Sequence, residues 1–144
     1  MKRFAVAAVL VVLAAAAAFG AAQDFGAFIV DVPDGWTPSV NGTTGIISKA
    51  DNSGNISITI DATQGYSLKD LADAFRAEFA KSFASVGELE GPNDGDYEWE
   101  MTTTNGVESH ALISGDDNQY MLIVVTGEVS QEEVGAMLAT LQVK

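Results

Sequence analysis

Alternating apolar and polar residues mark the clearest strands of this chain. In residues 55–61, Ile56, Ile58 and Ile60 alternate with polar side chains, which is typical of a strand with one buried face. Residues 44–49 precede this segment across a polar turn, so the two segments together predict a β-hairpin.

The first strand candidate is Phe25–Val32, in which both faces carry apolar residues. Such a strand is expected to be covered on both sides. A Pro-Asp-Gly turn at 33–35 ends it, because proline restricts φ and glycine accepts a positive φ. Trp36 follows and is expected to fold back as a lid on the core, and Thr37–Thr43 is rich in turn residues.

Three further strands are expected at 97–104, 107–114 and 119–126. The first two are joined by Asn105-Gly106, a strong signal for a tight hairpin, and the last two by a polar turn at 115–118. The pattern predicts an antiparallel meander whose last strand, apolar on both faces, is central in the sheet.

The turn positions also predict the register of the meander. If the Asn-Gly pair forms a two-residue loop, Trp99 lies opposite Leu112 and Met101 lies opposite His110. A second two-residue loop, Asp-Asp, then places Met121 beside Leu112. We expect the face that carries Trp99 to be the better buried one.

Two helices are predicted, each from a capping residue followed by apolar residues at helical spacing. Ser67 can cap the first helix with its hydroxyl group, and Ser130 with Glu133 forms a capping box for the second. The apolar stripe of the first helix consists of Leu68, Leu71, Ala72, Phe75 and Phe79. A polar, acidic connection is expected at 88–96, between the first helix and the meander.

The order of these elements resembles the PsbP-like and DcrB-like superfamily. Two short motifs carry the resemblance: Val32-Pro33-Asp34-Gly35-Trp36 after the first strand, and Gly65-Tyr66-Ser67-Leu68 at the start of the first helix. The resemblance implies an α+β fold, an α/β/α sandwich around a mainly antiparallel sheet of about six strands with two main helices. It also implies a non-enzymatic accessory protein outside the cytoplasm, although a fold by itself does not define a function.

The N-terminal segment has the features of an export signal. Lys2 and Arg3 precede an apolar run, and the small residues at 20–22 suit a signal peptidase. We expect residues 1–22 to be a signal peptide and 23–144 to be a single PsbP-like or DcrB-like globular domain, periplasmic or secreted. The alternative is an uncleaved anchor, because the apolar run is long enough to span a bilayer.

Charge excludes several classes of partner. The chain of 144 residues has a formal net charge of -13, and removing residues 1–22 leaves 20 acidic against five cationic side chains. Phosphate contacts need a basic surface, so we expect no nucleic-acid binding. Anionic lipid head groups would repel the mature chain, and we expect no membrane insertion. The absence of cysteine excludes disulfides and thiolate metal sites.

Two sets of side chains are candidates for chemistry. His110 is the only histidine, so the chain has no multi-histidine metal site, and the expected arrangement is a partly buried imidazole satisfied by Glu108 or the backbone. Glu98 and Glu100 share a strand face that points away from Trp99. They lie roughly 6–7 Å apart by strand rise, a separation that glycosidase carboxylates span. One alternative function is therefore a small hydrolase or carbohydrate-active enzyme.

Acidic residues are concentrated in residues 93–98 and in the polar turn at 115–118. The first of these segments lacks the spacing of an EF-hand, and a calcium-dependent module is a second alternative. The expected function is an exported, non-catalytic accessory or binding module of the cell envelope that docks another protein or an envelope component. The residues expected at its binding surface are Asp94, Asp96, Asp116, Asp117 and Tyr66. No cofactor and no metal is expected, and the sequence does not define the oligomeric state.

Overall fold

The computed structural model describes residues 19–144. The chain divides into two compact units. The first unit contains the described residues up to Ile56 together with Glu128–Lys144, and the second contains Ser57–Gly127. No helix in this described part of the chain is long and apolar enough to cross a membrane.

The fold is α+β, as predicted, and residues 19–144 form two helices and eleven strands. In chain order the elements are β1 (Phe19–Asp24), β2 (Phe28–Pro33), β3 (Trp36–Asn41), β4 (Thr44–Lys49), β5 (Gly54–Ala62), α1 (Leu68–Phe79), β6 (Ser85–Val86), β7 (Glu90–Asn93), β8 (Asp96–Thr102), β9 (Glu108–Gly115), β10 (Gln119–Gly127), α2 (Gln131–Leu138) and β11 (Gln142–Val143). A mainly antiparallel sheet contains the eight strands β3 to β10, and β1, β2 and β11 form a sheet of three. The predicted number of about six strands was too low.

Three strands of the eight-stranded sheet were not expected, and they are short or poor in apolar residues. β6 has two residues, β7 contains Gly91 and Pro92, and β3 contains Pro38 among polar residues. The segment 37–43, expected to consist of turns, is therefore mostly strand, and the acidic connection 88–96 contains β7. Pairing with a neighbouring predicted strand, β4 or β8, holds these segments in the sheet although their own patterns do not predict strands.

In the first unit, β2 lies between β1 and β11 and contributes one face to the core. Phe28, Val30 and Val32 on that face are buried, whereas Ile29 and Asp31 on the other face are half-buried, so the strand is less completely covered on its second face than expected. Phe25 stacks on Phe28 with the ring centroids 5.1 Å apart. Gly45 of β4 lies against these two rings, and a Cβ atom there would come within 2.6 Å of Phe25 Cδ1, so the position needs glycine.

Lys49 of β4 joins two parts of the first unit. Its Nζ lies 5.5 Å from the ring centroid of Trp36, which is half-buried at the start of β3 and does not form the expected core lid. The same ammonium is 3.3 Å from Glu133 Oε1. Glu133 Oε1 accepts from Ser130 N at 3.0 Å, and Ser130 Oγ accepts from Glu133 N at 3.1 Å. This reciprocal pair confirms the capping box predicted for α2.

In the second unit, the strands follow the order β5-β10-β9-β8-β6, with β7 also paired to β8. Ser67 caps α1 as predicted, because its Oγ accepts from Asp70 N at 3.1 Å. The apolar stripe of α1 packs on a buried cluster in which Trp99 is fully buried, so the prediction that Trp99 marks a buried face is confirmed. The other buried members of the cluster are Ala72, Met101, Ala111, Ile113, Tyr120, Leu122 and Val124.

The register between β8 and β9 differs from the predicted one by one residue. Thr103 N donates to Val107 O at 2.8 Å, so the loop between them has three residues instead of two. Trp99 therefore lies opposite Ala111, and the prediction of Leu112 as its partner was wrong. Because neighbouring residues of a strand point to opposite faces, the slip exchanges the faces of β9 relative to β8.

The second loop of the meander also differs from the prediction. It is formed by Asp117 and Asn118, since Asp116 N donates to Gln119 O at 2.9 Å. Leu112 consequently pairs with Ile123 instead of Met121. This shift amounts to two residues, so every β10 residue keeps its predicted face relative to β9.

Candidate functional site

Three acidic or polar connections meet at one end of the sheet in the second unit. The β7–β8 turn and the β9–β10 turn lie at the same end, because Tyr97 near the start of β8 pairs with Ile113 near the end of β9. The loop after β5 reaches the same place, where Thr63 N donates to Asn118 O at 3.0 Å and Thr63 Oγ1 donates to Asp117 O at 2.6 Å. We call this region the acidic end and define it by Asp94, Asp96, Asp116, Asp117 and Tyr66.

The acidic end exposes most of the side chains that define it. Tyr66 is 61% exposed, which is unusual for a large side chain in this unit. Asp94, Asp116 and Asp117 are exposed, and Asp96 is half-buried at the start of β8. The fold therefore brings together, at one end of one sheet, the five residues predicted from the sequence to form a binding surface. These residues are up to 51 positions apart in the chain.

Two of these aspartates also have local structural roles. Asp116 Oδ1 accepts from Asn118 N at 2.8 Å and from Gln119 N at 2.9 Å, and these backbone hydrogen bonds hold the pKa of Asp116 below its ordinary value. Asp94 has a φ of 52°, a left-handed conformation that aspartate and asparagine tolerate better than most residues. An asparagine at either position would preserve the turn, whereas a larger apolar residue would not.

The cationic side chains of the second unit are occupied elsewhere. Residues 57–127 contain 13 acidic side chains and three cationic ones, all three on or just after α1. Lys69 Nζ is 2.8 Å from Asp73 Oδ2, and Lys81 Nζ is 3.0 Å from Glu78 Oε2. Arg76 donates from Nη2 to Gly87 O at 2.6 Å. None of these ion pairs and hydrogen bonds involves a carboxylate of the acidic end.

A second group of ionisable side chains lies on the sheet face opposite Trp99. His110 Nε2 is 3.8 Å from Glu98 Oε2, Glu100 is the cross-strand partner of His110, and Glu90 is the cross-strand partner of Glu98. The expectation that Glu98 and Glu100 lie on the face opposite His110 was wrong, because the one-residue slip brings all three to the same face. Glu98 also replaces Glu108 as the nearest carboxylate to the imidazole.

Burial determines the protonation of His110. The side chain is buried, and this burial lowers its pKa below the ordinary value of 6.5 because the charged imidazolium is poorly solvated there. The carboxylate of Glu98 acts in the opposite direction, and Glu100 and Glu90 contribute smaller effects of the same sign. The net result favours the neutral imidazole at neutral pH.

The two carboxylates proposed for a hydrolase have different environments. Glu98 is only 5% exposed, whereas Glu100 is exposed. A pocket of about 260 Å³ beside β6 is bordered by Glu100 and Glu108 and does not include Glu98. Among residues 19–144, no group of three or more histidine, aspartate or glutamate side chains is arranged to hold a metal ion.

The grouping of Glu90, Glu98 and His110 is not predicted by the sequence pattern. The reason is the Asn-Gly pair, which fits a two-residue loop but also fits the end of a three-residue loop with a left-handed glycine. Gly106 has a φ of 81° and occupies that position. The three threonines before Asn105 gave no indication of which loop length would form.

Comparison with known proteins identifies the fold and nothing finer. No family model matches the chain, and no curated protein matches it. The solution structure of cyanobacterial PsbP (CyanoP) from Synechocystis sp. PCC 6803 aligns with a TM-score of 0.54 and 11% sequence identity, over 88% of this chain and 94% of that one. The fold is PsbP-like. This confirms the resemblance drawn from the two short motifs at the level of architecture.

A second structural match is longer than this chain. A crystal structure from Bacteroides thetaiotaomicron VPI-5482 aligns with a TM-score of 0.46 and 20% identity over 85% of this chain. The chain spans about half of that protein, 47% of its length. At 11% sequence identity, the similarity to PsbP concerns the fold and does not identify a functional site.

Proposed function

We propose that this chain is an exported, non-catalytic accessory module that binds a basic segment of a partner protein through the acidic end. The observation that carries the proposal is the meeting of three connections at that end, with Asp94, Asp116 and Asp117 exposed beside Tyr66. A PsbP-like fold is compatible with such an accessory role.

Charge and shape both favour a basic partner. The second unit has 13 acidic and three cationic side chains, so its field attracts positive charge and speeds encounter with it. Tyr66, at 61% exposure, offers an aromatic face on which a lysine or arginine of the partner can pack. The carboxylates then select for charge, and the ring supplies apolar contact area.

The proposal is tested with a charge-neutralised acidic end and a matched control. The test variant replaces Asp94, Asp96, Asp116 and Asp117 with asparagine. The control variant replaces the same number of exposed acids elsewhere with glutamine: Glu88, Glu108, Glu128 and Glu132. Asparagine retains an acceptor oxygen for the turn amides and tolerates a positive φ, so both variants should fold, which circular dichroism and thermal unfolding can verify.

The readout is binding to proteins crosslinked from the native envelope fraction, followed by association rates with one purified partner. We expect the acidic-end variant to lose the partner or associate more slowly, with a weaker dependence on salt, and the control variant to behave like the natural chain. Equal binding by all three proteins at low salt would reject the acidic end as the docking surface. Binding that requires added calcium would favour the calcium-dependent module.

Export is the second part of the proposal. Cleavage after Ala22 would leave Gln23 as the first residue, and it would retain the part of β1 in which Gln23 pairs with Val30 and Asp24 pairs with Ile29. Intact-mass analysis of the periplasmic and secreted fractions is expected to find this mature chain. A full-length chain found only in membranes would support the uncleaved anchor instead.

A further inference from the structure

Two exposed hairpin turns contain the dipeptide Asn-Gly. Asn41-Gly42 begins the β3–β4 turn in the first unit, and Asn105-Gly106 lies in the β8–β9 turn in the second. In such a dipeptide, the glycine amide nitrogen can attack the carbonyl carbon of the asparagine side chain, because glycine has no Cβ to hinder the approach. The two turns allow a comparison of the same chemistry in two backbone settings.

The two glycine amides differ in their hydrogen bonds. Gly106 N donates to Thr103 O at 3.0 Å, and the next amide, Val107 N, donates to Thr103 Oγ1 at 3.0 Å. Gly42 N has no hydrogen-bond partner among residues 19–144. The pairing of Asn41 with Thr44 makes the β3–β4 loop two residues long, Gly42 and Thr43, and both are exposed.

We propose that Asn41 is a site of spontaneous deamidation and that the turn around Thr103 protects Asn105. The Gly42 amide loses its proton to base, and its nitrogen forms a bond to Asn41 Cγ. The protonated base returns a proton to the side-chain nitrogen, whose bond to Cγ breaks, and that nitrogen leaves as ammonia. Water then opens the resulting cyclic imide at either carbonyl. One product is aspartate at position 41, and the other is isoaspartate, in which the main chain runs through the former side chain.

The hydrogen bond at Gly106 slows the same reaction at Asn105 for two reasons. It must be broken before the nitrogen can turn toward the side chain, and it opposes removal of the amide proton. A net hydrogen bond of ordinary strength represents about a five-fold factor in an equilibrium. We therefore expect folding to raise the ratio of the Asn41 rate to the Asn105 rate by at least about five-fold.

Deamidation at Asn41 changes both charge and backbone. It adds a carboxylate to a protein whose formal net charge is already -13. Isoaspartate also lengthens the main chain at the last residue of β3, where Asn41 pairs with Thr44. The β3–β4 hairpin should therefore lose its first pair in the isoaspartate form, and Val40, which is 58% exposed beside it, should become more accessible to proteases.

The experiment is peptide mapping by mass spectrometry of the full chain, incubated in mildly alkaline buffer and sampled over time. The same chain unfolded in urea supplies the rates at both sites without the fold. We expect the ratio of the Asn41 rate to the Asn105 rate to be at least about five-fold higher in the folded chain than in the unfolded chain. An unchanged ratio, or faster conversion at Asn105 in the folded chain, would overturn the proposal.

Three variants separate the contribution of the turn from that of the dipeptide. Asn41→Gln should remove most of the acidic product of the folded chain, whereas Asn105→Gln should leave it almost unchanged. Thr103→Ala removes the hydroxyl that accepts from Val107 N and should accelerate conversion at Asn105 without affecting Asn41. Thr103→Ala retains the hydrogen bond from Gly106 N to Thr103 O, so an unaltered Asn105 rate in a chain that remains folded would refute the contribution of the Thr103 hydroxyl, and the comparison with the unfolded chain tests the backbone hydrogen bond.

Discussion

On the two faces of the meander in the second unit, the side-chain contacts depend on the strand register to different degrees. The face with Trp99 packs on α1 through apolar side chains such as Ala111 and Ile113. The opposite face combines the buried Ile123 with Glu98 and the imidazole of His110. An apolar face can be recognised even when its partners are assigned wrongly, because one apolar neighbour replaces another. A contact between a carboxylate and an imidazole exists in one register only.

This difference explains which sequence-based predictions the structure confirmed and which it did not. The burial of Trp99 was predicted correctly although its predicted cross-strand partner was wrong. The environment of Glu98 was predicted wrongly, since the same one-residue slip moved it beside His110. Hydrophobic patterns therefore support predictions of burial more firmly than predictions of polar sites on the same strands.

The largest expected effect concerns the apolar face. Trp99→Ala should lower the free energy of unfolding by about 3–5 kcal/mol, because it empties a fully buried site under α1. Trp99 Nε1 has no hydrogen-bond partner among residues 19–144, so Trp99→Phe loses packing alone and should cost clearly less. Urea denaturation monitored by circular dichroism measures both variants. A loss below about 1 kcal/mol for Trp99→Ala would contradict burial of this face.

A second variant tests the register itself. Ala111 is fully buried opposite Trp99, so Ala111→Leu should overpack the core and cost about 1–3 kcal/mol. In the register expected from a two-residue loop, Ala111 lies on the other face, away from Trp99. The control Ser114→Leu changes a half-buried residue of the same strand and should have a smaller effect. Equal effects of the two substitutions would argue for the alternative register.

The polar face should make stability depend on pH. Burial holds the pKa of His110 below 6.5, so as the pH falls below 6.5 the unfolded chain takes up the proton first. The free energy of unfolding should then decrease as the pH falls, by at most about 1.4 kcal/mol per pH unit. Urea denaturation over a pH series measures this slope, and His110→Gln should remove it.

Three aspartates affect the free energy of unfolding in a lower pH range than His110 does. Asp24, Asp51 and Asp116 have pKa values lowered from 3.8 by side-chain or backbone hydrogen bonds, and their contribution is lost only as the pH falls below 3.8. A pH slope just below 6.5 that persists in His110→Gln would therefore mean that another group on this face is responsible.

The smallest expected effect distinguishes the neighbours of His110. Glu100→Gln should change the free energy of unfolding by less than about 0.5 kcal/mol, because Glu100 is exposed. It should still lower the pKa of His110, since the carboxylate of Glu100 favours the imidazolium. NMR titration of the single imidazole measures the pKa, with Glu108→Gln as the control that leaves it unchanged. A larger shift with Glu108→Gln would restore the pairing expected from the sequence.

Several features of the candidate site were accessible from residue types alone. Aspartates and an exposed tyrosine in turns identified Asp94, Asp116, Asp117 and Tyr66, because turns favour aspartate and lie at the surface. Their meeting at one end of the sheet also followed in part from the predicted meander, since alternate turns of a meander lie at the same end. The hydrogen bonds from Thr63 that bring the Tyr66 loop there had no signal in the sequence.

The sequence by itself determined the local elements that a short-range pattern encodes: the alternation of Ile56, Ile58 and Ile60, the caps at Ser67 and Ser130, and the chemical character of each turn. Tertiary structure decided the length of the β8–β9 loop and the pairing of β3, β6 and β7 into the sheet. The physical reason is that both outcomes depend on pairing with distant strands and on packing under α1, whose free energies exceed the small local preferences of a Thr-Thr-Asn-Gly turn or a Gly-Pro segment.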